Sequence, residues 1–161
     1  MDRFHGKYLG VVVDNDDPLV LSRLKVTVPE VFGGETAGWF LPCSPYAGDA
    51  VGFVAVPPLG SVVFVEWPAG DTTRVGIWSG GIWTQGSGVN GAGPDVILLV
   101  TPGGHRIELA DTAGSESISI TSASGASVTM DQSGLTLAFG SQKIAMTAAS
   151  VSVNDGALTV M

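Results

Sequence analysis

Between Val96 and Met161 the chain repeats one short pattern eight times: two apolar residues one position apart, set among Ser, Thr, Gly and Asp. The pairs are Ile97/Leu99, Ile107/Leu109, Ile118/Ile120, Val128/Met130, Leu135/Leu137, Ile144/Met146, Val151/Val153 and Leu158/Val160. Side chains alternate between the two faces of a strand, so each pair places both members on the same side. The pair centres fall 7 to 11 residues apart. That is too short for a crossover helix and fits a chain that folds or winds back at every turn. The pattern therefore predicts a stack of eight short strands with one apolar face.

A strip of this kind has nothing of its own to place on that face. Apolar burial is the main return for ordering a backbone, and open strand edges add a further liability. Other copies of the chain must supply the missing burial, which predicts a β-helical rod that exists only as an oligomer. The alternative is a monomeric sandwich that closes on itself.

Residues 1–84 have a different texture. They hold seven of the nine prolines, all four tryptophans, both tyrosines and five of the six phenylalanines, enough to build a core. The expected strands are Lys7 to Val13, Leu24 to Val28, Gly38 to Leu41, Ser61 to Trp67 and Arg74 to Ser79, with Val51 to Val56 as a sixth candidate. Five or six antiparallel strands in so short a stretch suit a small closed barrel of the OB type. Helical periodicity is nearly absent. Between the two parts, residues 85–95 form a Gly-rich connector. Its Gly86, Gly88 and Gly91 spell G-x-G-x-x-G, but Ala92-Gly93-Pro94 cannot open the helix that a dinucleotide site needs.

The chemistry of sites is sparse. Asp14, Asp16 and Asp17 lack the Gly and Glu that an EF-hand loop needs at its sixth and twelfth positions, and read as a solvated turn before Pro18. His105-Arg-Ile-Glu108 does not have zinc-helix spacing, and the chain contains no G-x-S-x-G and no P-loop. Cys43 is the only cysteine, so no internal disulfide forms; it is expected as a small, partly buried side chain. Trp67, Trp78 and Trp83 are expected in the core or an interface rather than as a ligand platform. No catalytic residue, cofactor or metal site is expected. A net charge of −8 argues against nucleic acid as a partner.

Three segments carry a family resemblance: Gly6 to Pro18, Ser22 to Pro29 and Pro57 to Trp67 with Gly70-Asp71. They resemble the N-terminal OB domain of the phage baseplate assembly protein V, or VgrG-like, central spike family. Thr101 to Thr112 and Asn154 to Val160 resemble that family's entry into its needle and its blunt end. The resemblance implies an all-β chain: an OB-type barrel over 1–84, then the connector over 85–95. Over 96–161 it implies a triple-stranded β-helix, intertwined in a homotrimer. It further implies a structural spike at the baseplate centre of a contractile tail or injection particle. Such a spike meets a hub or tube-initiator protein at its OB end and a PAAR-like tip protein at its C-terminal end, and it touches the target membrane only transiently.

On this reading the trimer core comprises Ile107, Leu109, Ile118, Ile120, Val128, Met130, Leu135, Leu137, Ile144, Met146, Val151 and Val153. Leu158, Val160 and Met161 would bind the tip protein. The residues before Val11 lack the apolar core, about 7–15 residues long, of a secretory signal, and no run approaches the ~20 apolar residues of a membrane span. The expected location is the bacterial cytoplasm during assembly, then the particle baseplate. The competing readings are an OB module that binds glycan or nucleic acid, and a receptor-binding fibre.

Overall fold

The structure, a computed structural model, describes residues 3–161. The chain divides into two compact units, Met1–Ser87 and Gly88–Met161.

The first unit contains β1 (Tyr8–Asp14), β2 (Leu24–Thr27), the single helical turn α1 (Pro29–Phe32) and β3 (Thr36–Pro42). A two-residue hairpin follows, β4 (Ala47–Gly48) and β5 (Val51–Gly52), and then β6 (Val62–Glu66) and β7 (Ile77–Ile82). Five strands close into a barrel in the order β1-β2-β3-β7-β6. Every pairing is antiparallel except β3 with β7, which closes the barrel in parallel. This is the OB-like arrangement expected from the sequence.

Alternation along the strands sends Val12, Leu24, Val26, Phe40, Val63 and Val65 inward, where they meet Val28, Trp67 and Trp78. Trp67 is the aromatic hub, with ring centroids of Phe40, Phe32 and Tyr8 at 5.5, 5.6 and 5.9 Å. The approach of Phe40 requires a glycine at Gly76, because a Cβ there would stand inside its ring. Trp67 and Trp78 are thus core residues as expected, whereas Trp83 is 73% exposed.

Four local features differ from the sequence reading. β7 runs on through Gly80 and Gly81 to Ile82, because Gly80, at φ 54°, is the extra residue of a bulge opposite Val63/Phe64. The stretch Val51 to Val56 supplies only β5; the chain then runs to Pro57-Pro58, whose missing N–H groups cannot extend a ladder. Cys43 is exposed, not partly buried.

The acidic turn is a clamp rather than a solvated loop. One Asp17 oxygen receives the Arg23 guanidinium at 2.6 and 2.9 Å and the N–H of Leu19. The other receives the N–H groups of Leu21 and Arg23. The Asp17 side chain is only 4% exposed.

The second unit is a single eight-stranded antiparallel meander. Its strands are β8 (Val96–Val100), β9 (Arg106–Ala110), β10 (Ser117–Thr121), β11 (Ser127–Asp131), β12 (Gly134–Phe139), β13 (Gln142–Met146), β14 (Val151–Val153) and β15 (Leu158–Val160). Each strand pairs only with its sequence neighbours, so β8 and β15 are open edges. All eight apolar pairs fall in these strands, one pair to each.

The Asp17 clamp makes the barrel sensitive to acid. The Arg23 guanidinium, seconded by three backbone N–H groups, holds the Asp17 carboxyl well below its ordinary value of 3.8. A carboxyl depressed by folding contributes its full stabilisation above the unfolded value and loses it as the pH falls through the folded one. Asp17→Asn should therefore lower the melting temperature at pH 7, and its deficit against the parent should shrink as the pH falls below about 4. Near-UV circular dichroism reads this unit specifically, since all four tryptophans lie in it. In the same assay Gly76→Ala should cost about 1–3 kcal/mol through displacement of Phe40.

Candidate trimer interface

The register of the meander turns eight separate pairs into two continuous columns. One runs Ile97, Leu109, Ile118, Met130, Leu135, Met146, Val151, Val160, each residue directly opposite the next across the ladder. The other runs Leu99, Ile107, Ile120, Val128, Leu137, Ile144, Val153, Leu158. All twelve residues read as trimer core lie in these columns on one face of the sheet. Leu158 and Val160 continue the same columns in β15, while Met161 follows the strand fully exposed.

Phe139, outside the eight pairs, belongs to the same face. It shares its face with Leu135 and Leu137 by alternation, pairs with Gln142 and is exposed. The triplet Leu-x-Leu-x-Phe at 135 to 139 was the available signal.

Within the second unit nothing covers this face. Among the described residues of the second unit none is buried; all nine core residues belong to the barrel. In β9 and β10 the usual order is inverted: Ile107, Leu109, Ile118 and Ile120 are exposed, while Arg106, Glu108, Ser117 and Ser119 opposite them are half-buried.

Beyond β8, which places Val96, Leu98 and Val100 there, the other face is mostly polar and carries pairings of its own. Arg106 and Glu108 pair at 2.7 Å, and Arg106 also donates to the Asn90 carbonyl at 3.0 Å. Ser119, Thr129 and Thr136 stand opposite one another across β10, β11 and β12. Turns on the same flank are stitched together. The Ala123 N–H donates to His105 Nδ1 at 3.3 Å, Gln132 to Glu116 at 2.6 Å, and Asn154 to Gln142 at 2.6 Å. Its own peptide N–H, that of Gly114 and the Gln132 amide hold the Glu116 carboxyl below its usual range, and the Ser133 hydroxyl does the same for Asp131. These contacts fix each sheet as a unit and leave its apolar side, together with the edges of β8 and β15, open to partners.

Residues 96–159 match the phage baseplate V C-terminal trimerisation domain. Residues 8–83 match the type VI secretion system/phage-baseplate injector OB domain. The chain belongs to this baseplate V family. The two matches together leave out only residues 1–7, 84–95 and 160–161. Comparison with curated proteins returns no match. The baseplate V family is structural rather than enzymatic, its members are components of phage or type VI baseplates, and its C-terminal domain makes homotrimers. The unpartnered face of the second unit is the feature that such a domain requires. Among the described residues no group of three or more His, Cys, Asp or Glu side chains could hold a metal ion.

Ile120→Asp should abolish the trimer, because three carboxylates would be driven into an apolar interior at a cost of about 3–5 kcal/mol or more. Ser119→Asp, one residue away on the polar face, should keep it. Sedimentation velocity on the two variants checks the assignment of faces.

Proposed function

We propose that this baseplate V protein is the central spike of a contractile injection particle or phage tail. It joins the tube hub to a tip protein and pierces the target envelope. The observation that carries this reading is an apolar face more exposed than its polar counterpart, on a trimerisation domain joined to an injector OB domain. Three chains bring three such faces together, with Ile107 to Val153 of the two columns inside and the Ser/Thr faces in water. The resulting needle carries axial load through main-chain hydrogen bonds in every layer. It needs few charges to stay soluble.

In this reading the OB end meets the hub or tube-initiator protein. The C-terminal end takes the PAAR-like cap: Leu158, Val160 and Met161 expose an unpaired edge strand that would otherwise invite aggregation. The protein assembles in the bacterial cytoplasm and reaches the target membrane only on firing. The net charge of −8 disfavours an OB module for nucleic acid.

Deleting Ala157 to Met161 should leave a trimer of unchanged sedimentation but lose a PAAR-like partner in a pull-down with the purified proteins. Equal capture by the truncated trimer would place the cap elsewhere.

A further inference from the structure

The barrel carries one surface that its own core does not explain. The loop after Pro18 exposes Leu19, Val20 and Leu21, with Val20 at 89%. Val20 and Ser22 sit at φ 55° and 59°, a conformation that a β-branched residue avoids. The strain persists because the loop is clamped at both ends. Asp17 accepts the N–H groups of Leu19 and Leu21, and the Trp78 indole N–H donates to the Ser22 carbonyl at 3.1 Å. A loop that only connected β1 to β2 would place glycine here and turn its apolar residues inward. This one is braced to hold Val20 out.

The loop itself forms one wall of a cavity of about 450 Å³, with Val20 at its rim and Tyr46, Phe53 and Val54 in its other walls. It shares Pro57 and Gly81 with a second cavity of about 600 Å³ beside Leu59 and Trp83. The combined lining contains no Asp, Glu, Lys or Arg; Asp49, between β4 and β5, stands at its edge. An uncharged apolar band therefore runs from Val20 to Trp83.

Two arguments identify what covers it. First, the band ends where the chain leaves for its trimerisation domain, which begins twelve residues after residue 84. A short connector holds the other two OB units of a trimer at an effective concentration of about millimolar, so a modest apolar contact suffices. Second, each chain carries a net charge of −8, and identical charged surfaces repel when brought together. A surface without ionisable groups is the one that identical copies can bring into contact.

We propose that the OB units of one trimer pack on one another through this band, with Val20 of each copy entering the cavity walled by Tyr46 and Phe53 on the next. Such a contact is heterologous and closes into a ring of three. The proposal rests on the trimer made by the second unit.

The test uses the full-length chain with Cys43→Ser and one new cysteine at a time: Val20→Cys or Val54→Cys in the band, and Glu30→Cys outside it as control. A short bismaleimide should give covalent dimers from both band positions and none from the control. Both band thiols should also react with a bulky maleimide at least tenfold more slowly than the control. Adding Phe53→Asp should abolish the cross-links without changing the mass in solution. A three-chain mass with no cross-links and control-rate labelling would overturn the proposal alone, leaving the band free for a protein of different sequence. A single-chain mass would remove the trimer and this proposal with it.

Discussion

An apolar face without a counter-surface governs this molecule. Sixteen side chains are held in two columns by a register that leaves no freedom: a slip of one residue would move every one of them to the polar side. Each would contribute about 2 kcal/mol if removed from water. Within one chain none of them reaches the interior. The ladder, the stitched turns and the mostly polar other face make a finished sheet, while the burial that would stabilise it lies in other copies. This unit is therefore expected to fold as it assembles.

The barrel is the opposite case. Its nine described buried residues form a closed core around Trp67, and the clamped carboxylate of Asp17 orders the loop between β1 and β2. It supplies the self-sufficient module of the chain. The trimerisation unit supplies the symmetry. A family whose injector OB domain is joined to a trimerisation domain combines these two solutions, one with a closed core of its own and one with an apolar face left open to other copies.

Much of this was legible in the sequence because period-two alternation is a strong signal when strands are short and helices absent. All eight pairs fall in strands, and the aromatic and proline content of the first half pointed to a barrel. What escaped depended on geometry rather than pattern. Gly80 and Gly81 read as lying past the end of the strand at Ser79, yet Gly80 takes the left-handed conformation of a bulge and so keeps both in β7. Asp17 read as a solvated turn residue, because nothing in its neighbourhood announces that three backbone N–H groups and Arg23 converge on it. Phe139 was missed since a triplet was read as a pair. The strained exposure of Val20 has no sequence signature at all, because φ is fixed by contacts the loop makes after folding.

The mass of the full-length chain in solution, measured by light scattering across a dilution series, tests the dependence of the second unit on other copies. Three copies of a 16.4 kDa chain are expected, with loss of the trimer on dilution accompanied by loss of β-structure in residues 88–161. A single copy that keeps its full β content and melts cooperatively would contradict that dependence.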